Sequence, residues 1–581
     1  MALSKHIDPT ALLAAARAHP HRRLVAREHR EIHEGSYASR FESDAEVPKF
    51  KIPQTGVSSK AAYQIIHDEM DLDGSPLLNF ASFVHTWMPE EANKLMMENI
   101  NKNFADQDEY PATQAIHTRC ISMLGELWHA PKGEAIGTAT TGSSEAIMLG
   151  GLALKRRWQN KRKAEGKSTA SPNIIFGANA QVALEKFARY WEVEARLVPV
   201  TEKGNYCLDP NDAIKFVDEN TIGVMVILGS TYTGHFEPVS LMAELLDEYE
   251  TKTGIDIPIH VDAASGGFVA PFAYPTYKWS FDIPRVVSIN TSGHKFGLVY
   301  AGLGWILFRN KSMLPSELIF ELHYLGNTEY TYTLNFSRPS APILGQYFNF
   351  LNLGFEGYRR IILADLKNAR LLSNALELSG YFKVLSQVHL PLAASPSGIV
   401  GAAQKAVGAV PDPEDPEAYV KGLPVVSFRF TDEFREQYPH VKQVWIQSLL
   451  RTKGWIVPNY ALPPALEKVE ILRIVVRESV SGDLIERVLA DLMEITESLM
   501  SACLLAFFPI FPLVASCFIT LALASLVSEH RTDVRAVDNT DVSMLMATFT
   551  GQLSLRDEAH HGRLSKSDFQ GVETNTDSTQ C

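Results

Sequence analysis

Lys295 stands in an apolar stretch, "NTSGHKFG", directly after the strand-like run "VVSIN" at 286–290. A buried ammonium is costly unless it is paired or loses its charge, and a covalent bond to the amine removes the charge outright. Asp262 follows a second apolar run, "IPIHV" at 257–261, and leads into "AASGG". Gly142, Ser143 and Ser144, in "TATTGSSEA", stand where a helical pattern begins. A helix N-terminus offers free N–H groups and the positive end of the dipole, so hydroxyls there suit a phosphate. An amine, a carboxylate and a phosphate cradle are the needs of pyridoxal 5′-phosphate: a lysine for its Schiff base, an anion to keep the ring nitrogen protonated, and an anchored phosphate. Each piece alone has an ordinary explanation. Gly-Ser-Ser is a common helix start, a strand-end Asp is often a turn residue, and a lysine after a strand is usually solvated. Their conjunction in this order carries the reading.

Such groups need a scaffold that brings strand ends together. Apolar runs of strand length occur at 173–177 ("NIIFG"), 222–228 ("IGVMVIL"), 257–261, 286–290 and 302–308 ("GLGWILF"). Helical patterns lie between several of them, at 142–158, 180–191 and 239–253. Strands apolar on both faces and bounded by helices predict a mainly parallel sheet covered on each side, with the ligand beyond the carboxyl ends of the strands. Residues 1–75 read as an N-terminal arm with a helix near 59–70, and 76–345 as a large α/β domain that binds the cofactor. A long helical pattern from 341 leads into a smaller C-terminal α/β domain, 346–500, with strands at 423–430 and 469–476. The Ala-, Gly- and Pro-rich stretch 392–422 reads as a surface loop.

Among 581 residues the net charge is −13 and 46% are apolar, so bulk attraction to nucleic acid or anionic lipid is not expected. The basic run "KRRWQNKRK" at 155–163 reads as a solvated helix face. Five cysteines, none in a C-x-x-C pair, argue against a disulfide framework or a structural zinc site and suit a cytoplasmic location. "ALLAAARA" near the N-terminus is too short and too weakly apolar for a secretory signal. The uncharged run 498–528 is long enough to span a bilayer, although Pro509 and Pro512 would break its first half. Three readings stay open for it: a membrane anchor or surface segment, a buried tail, or translated sequence that the mature protein lacks. The third is preferred. Residues 501–581 are then an apolar run and a polar tail.

"DEYPATQAIHTRC", "TTGSSEAIMLGG", "KFARYWEVEAR", "TYTGHFEP", "HVDAASGGFVAPF", "SINTSGHKFGLVYAGLGWILFR" and "NFSRP" occur in that order. Over about residues 35–500 the chain resembles the glutamate decarboxylases, pyridoxal-phosphate enzymes of the aspartate-aminotransferase fold. The resemblance implies that Lys295 is the Schiff-base lysine and Asp262 the partner of the ring nitrogen. Ala264 and Gln181 would lie against the two ring faces, and Ser143, Ser144, Ser292 and His294 would hold the phosphate. Ser337 would reach the phosphate of a neighbouring subunit, implying at least a homodimer. Thr231 would contact the cofactor's phenolic oxygen or the substrate carboxylate. Ser82, Phe83, Asn103 and Asp106 resemble the pocket for the distal carboxylate, and Arg473 would bind the α-carboxylate. Asp106 beside an anionic substrate makes sense if a proton is held there, which favours mildly acidic pH. Tyr324 matches a loop tyrosine, a gate or proton donor. The implied reaction is decarboxylation of L-glutamate to 4-aminobutyrate. Its rivals are decarboxylation of another amino acid, against which "NINKNFADQDEYP" speaks, and a silent scaffold with a membrane-associated tail. The tail beyond 528 has no Trp and no basic amphipathic helix, which argues against calmodulin binding.

Overall fold

Strands buried on both faces require helices on both sides. In the computed structural model, which describes residues 50–54, 56–322, 329–392, 412 and 415–506, seven strands form one sheet. They are β1 Ile136–Thr140, β2 Asn173–Gly177, β3 Glu194–Val198, β4 Thr221–Ile227, β5 Ile259–Asp262, β6 Val286–Ser292 and β7 Gly304–Phe308. The order is β1-β7-β6-β5-β4-β2-β3. Neighbours from β3 to β6 pair in parallel, whereas β7 runs antiparallel to both β6 and β1. All five strand-length runs read from the sequence are present. Two strands are not legible there: β1 is made of small and polar residues, and β3 is an edge strand with mostly exposed side chains.

Helices are named here with their spans: α1 Ser59–Met70, α2 Glu90–Glu98, α3 Pro111–Leu127, α4 Ser143–Ala164, α5 Val182–Tyr190, α6 Val239–Thr253, α7 Ala341–Leu378, α8 Gln443–Thr452 and α9 Gly482–Ala506. Alternate residues of the central strands pack into two different apolar clusters. Ile174, Phe176, Met225 and Ile227 join Leu154 and Trp158 of α4 and Leu184 and Phe187 of α5. Ile175, Val224, Val226, Val261 and Ile289 join Met242 and Leu246 of α6 and Ile362 and Leu366 of α7. Helix α4 lies close on the sheet because Gly150 and Gly151 permit it. A Cβ at Gly150 would come within 2.6 Å of His260 on β5, and one at Gly151 within 2.4 Å of Phe187. The basic run 155–163 lies on α4, with Trp158 buried and its indole N–H donating to Glu219 O at 3.1 Å.

The chain divides into two units after Gly74. The first contains α1, whose N-terminus is capped by Ser58 Oγ accepting from Ala61 N–H at 3.2 Å. The second holds the sheet above, the short hairpin β8 Phe320–Leu322 and β9 Glu329–Thr331, and a four-stranded antiparallel sheet. That sheet comprises β10 Phe382–Val384, β11 Val425–Phe430, β12 Asn459–Ala461 and β13 Glu470–Val475, in the order β10-β11-β13-β12. The long pattern from 341 is helical but broken at Gly354, where φ 58° and ψ −171° leave helical space, a conformation open to glycine. Most of the stretch 392–422 lies outside the described residues. The apolar run 498–528 does so beyond Ala506; its first residues continue α9. Among the described residues no helix is long and apolar enough to cross a membrane.

Candidate active site

The carboxyl ends of β5 and β6 set two reactive groups side by side. Asp262 is the last residue of β5 and pairs in register with Asn290 of β6. It is buried, and its Oδ1 accepts from Ala264 N–H at 3.1 Å and from Asn290 Nδ2 at 2.8 Å. Lys295 lies in the turn after β6. Three side chains of α7 hold that turn: Gln346 and Tyr358 donate to Gly297 O, each at 3.0 Å, and Asn349 donates to Leu298 O at 2.6 Å. Leu298 itself takes a left-handed φ of 62°, a strain of about 1–3 kcal/mol that this bracing sustains.

Lys295 Nζ donates to Ser265 Oγ at 3.2 Å and lies 5.1 Å from the centroid of the Phe83 ring. Burial lowers its pKa to about 8; Asp262 opposes the shift and the Arg473 guanidinium adds to it. The amine is thus nucleophilic about two pH units below an ordinary lysine. In cofactor-free protein, labelling of Lys295 by an amine-selective reagent should reach half its limiting rate near pH 8. Peptide mass spectrometry across a pH series reads this directly, and a midpoint at that of ordinary lysines, about 10.4, would contradict it.

The start of α4 stands opposite. Gly142 precedes it in extended backbone, and no side chain caps it. Ser143 is buried and Ser144 exposed. Ser143 Oγ accepts from Asn290 Nδ2 at 3.1 Å and from Ser292 Oγ at 2.9 Å. The Cε1 of His294 would lie 3.3 Å from a Cβ at Gly142, and its Nδ1 is buried without a partner. Burial and the Lys295 charge hold His294 neutral, with its pKa near 4. Glu145 places a negative charge in the same first turn, but its carboxylate is turned back. It accepts from Thr141 N–H and Oγ1 at 2.8 and 3.0 Å, and from Leu334 and Asn335 N–H at 3.0 and 3.2 Å. An uncapped helix start, an orphaned imidazole nitrogen and a cation-forming amine fit an anionic, amine-reactive group such as pyridoxal phosphate.

Arg473 enters from the second sheet. It sits on β13, a strand otherwise apolar where buried, with its guanidinium 5.0 Å from the Phe83 ring and 5.5 Å from the Tyr460 ring. Nη1 donates to Thr231 O at 2.9 Å and Nη2 to Ala81 O at 2.5 Å, while Nε is buried without a partner. The Phe83 ring is therefore in reach of two cations, Lys295 and Arg473. Ser82 Oγ, next to it, accepts from Val84 N–H at 3.1 Å.

Asn103, Asp106 and Ser337 form a second group. Asn103 Nδ2 donates to Asp106 Oδ1 at 3.0 Å and to Ser337 Oγ at 3.3 Å. Among the described residues no described contact joins this group to Lys295, Phe83 or Arg473. Gln181 is exposed and caps α5, its Oε1 accepting from Ala183 N–H at 2.7 Å. Ala264 is partly buried between Asp262 and Ser292, whose N–H it accepts at 3.1 Å. Tyr324 lies outside the described residues. Ser265, Asn290, His260, Glu145 and Tyr460 belong to the neighbourhood but were not singled out from the sequence. One signal was available for Asn290: Ser288, Asn290 and Ser292 form a polar row of period two inside a strand that is buried throughout.

A lysine and an aspartate at adjacent strand ends, facing an open helix start, define a pyridoxal-phosphate enzyme. The pyridoxal-dependent decarboxylase conserved domain matches residues 53–394, more than half of the chain. A glutamate decarboxylase of Saccharomyces cerevisiae is 47% identical over 490 residues, covering 81% of this chain and 82% of the yeast protein. One from Aliivibrio fischeri is 43% identical over 452 residues, 78% of this chain and 90% of its own length. The solved structure of a Lactobacillus brevis glutamate decarboxylase superposes with a TM-score of 0.70 at 36% identity, covering 78% of this chain and 96% of that one. The chain belongs to the pyridoxal-dependent decarboxylase family, among the glutamate decarboxylases. The fold is accordingly the α/β, aspartate-aminotransferase-like one, and the cofactor is pyridoxal phosphate.

Proposed function

We propose that this enzyme removes the α-carboxyl group of L-glutamate as CO2 and returns a proton to Cα, yielding 4-aminobutyrate. The observation that carries the substrate side is Arg473. It is a buried cation with an unused Nε donor, and both it and the Lys295 amine contact the Phe83 ring. Such a cation suits the α-carboxylate of an amino acid whose amine is processed at Lys295. The glutamate decarboxylases it resembles support the choice of substrate.

When bound, pyridoxal phosphate supplies an electron sink for the pair released as the Cα–carboxyl bond breaks. The rest is the work of this chain. Lys295 holds the cofactor through its amine, and Asp262 keeps a negative charge at the ring nitrogen. Ser143, Ser144, Ser292 and His294 hold the phosphate at the α4 start, with Ala264, Gln181 and Thr231 completing the cofactor contacts. Arg473 orients the carboxylate that leaves, and the buried Phe83 ring packs against both cations and helps keep water from them. Lys295, its pKa lowered by burial to about 8, is able both to hold the proton that Cα receives and to release it.

Ser82 and Phe83, together with Asn103 and Asp106, take the distal carboxylate. Asn103, Asp106 and Ser337 share hydrogen bonds with one another and no described contact with Lys295, so a second copy of the chain is assigned to bring its own set to this site, making the active unit a homodimer or larger. The buried free thiols of Cys120 and Cys207 suit a reducing, cytoplasmic location.

Proton NMR of the purified full-length chain, mixed with pyridoxal phosphate and L-glutamate at about pH 5, tests the reaction. The expected product is 4-aminobutyrate. Arg473→Gln should raise KM about 10–100-fold, the loss of one charge-assisted contact. Conversion of another amino acid in preference to glutamate would overturn the substrate assignment.

A further inference from the structure

Beneath Asp262 and Ser143 a chain of hydrogen bonds runs in one direction. Its members, Ser288, His260, Asn290, Asp262, Ser143 and Ser292, are all buried. The Asn290 amide nitrogen donates to Asp262 Oδ1 at 2.8 Å and to Ser143 Oγ at 3.1 Å, so its oxygen must accept. That oxygen lies 2.7 Å from His260 Nε2, which therefore carries the hydrogen. His260 Nδ1 is then the acceptor, 2.7 Å from the Ser288 hydroxyl. Burial lowers the His260 pKa, which favours the neutral ring, and the accepting oxygen of Asn290 sets which nitrogen carries its hydrogen. Gly150 of α4 closes over the imidazole, with no room there for a Cβ.

At the far end, Ser143 Oγ accepts from both Asn290 and Ser292. Both of its lone pairs are engaged, so its own hydrogen is left to donate outward. The other branch ends on the Asp262 carboxylate and immobilises Oδ1. One amide group thus touches both the carboxylate assigned to the ring nitrogen and the hydroxyl assigned to the phosphate.

We propose that Asn290 is a positioning residue that couples the ring-nitrogen end of the cofactor site to its phosphate end, oriented by neutral His260. This deepens the reading of the site given above and rests on it. A buried amide with a merely structural role needs partners, but not these two. The consequence is specific: a change at Ser143 alters what a change at Asp262 does, and Asn290 transmits it.

The test is a double-mutant cycle read as pyridoxal phosphate affinity, not activity. Full-length protein stripped of cofactor is titrated with pyridoxal phosphate and followed by absorbance and tryptophan quenching. Ser143→Ala, Asp262→Ala and the pair are compared in the presence of Asn290 and again in an Asn290→Ala background. With Asn290 present the two substitutions should depart from additivity by at least about threefold in Kd. In the Asn290→Ala background the departure should fall to what the shared ligand alone transmits, at least about threefold smaller. If Asn290→Ala does not fold by circular dichroism, Asn290→Ser, which keeps a small polar group, serves as the background. Equal non-additivity in both backgrounds, or none in either, overturns the inference while leaving the cofactor site intact. A flat titration of the wild type overturns the site reading and the inference with it.

Discussion

Replacing Lys295 by alanine should abolish 4-aminobutyrate formation, lowering kcat by more than about 10⁴-fold, as loss of a covalent nucleophile does. The fold should survive. The described bond of the Lys295 side chain is the one to Ser265 Oγ, and the turn that carries it is held through backbone carbonyls by Gln346, Asn349 and Tyr358. The stability effect has a definite sign. The folded pKa, about 8, lies below that of the unfolded chain, so the unfolded state binds more protons between about pH 8 and about pH 10.4. The lysine therefore weighs against folding of the cofactor-free protein below about pH 8, and this burden fades as pH rises toward 10.4. Urea midpoints of the cofactor-free Lys295→Ala protein should equal or exceed those of the wild type at about pH 7, with the advantage shrinking by about pH 10. A variant that keeps a tenth of its activity would remove Lys295 from the chemistry. One that loses its fold would leave the loss of activity to be judged by the Asp262 substitution below.

How much of this was legible in the sequence depends on burial. Strands β2, β4, β5, β6 and β7 announce themselves because both faces are covered, so each is fully buried and carries apolar residues on both faces. Strand β3 fails that test at the sheet edge, where "EARLV" leaves most side chains in solvent and carries no apolar run. Strand β1, "IGTAT", is buried toward its end, but through Thr138 and Thr140 rather than large apolar groups. Helix α6 spans the predicted residues, whereas the Gly354 break in α7 is invisible to a periodicity that continues on either side of it.

In the site, groups with strong chemistry could be found singly: an amine, a carboxylate, a hydroxyl pair. What periodicity and composition do not carry is pairing across strands. Asn290 becomes meaningful only when the β5–β6 register places it beside Asp262 and His260 beside Ser288. Arg473 likewise reads as an anomaly in an apolar strand until Thr231 and Ala81, hundreds of residues earlier, turn out to hold two of its donors. The gathering of Asn103, Asp106 and Ser337 into one hydrogen-bonded group, across more than two hundred residues, likewise has no linear signature.

Asp262→Asn should cut kcat about 10²–10³-fold while leaving thermal stability nearly unchanged, and the reason is in the hydrogen bonds. Oδ1 of Asp262 accepts from two donors, Ala264 N–H and Asn290 Nδ2. An asparagine in its place must present its carbonyl oxygen to both, since turning the amide over would set three N–H groups against one another. Its NH2 is then forced into the position of Oδ2. The substitution thus does more than remove a charge: it puts a donor where an acceptor was, at the position proposed to face the ring nitrogen. Loss of a preorganised electrostatic contact of this kind has the stated size. Because every described bond of the wild-type side chain is kept, unfolding temperature should move little, which separates this effect from simple destabilisation. Single-turnover decarboxylation, cofactor absorbance against pH and a thermal scan make up the measurement. A slow variant whose cofactor loses its proton at lower pH than in the wild type is the expected result; a kcat within threefold of wild type would take Asp262 out of the role assigned to it.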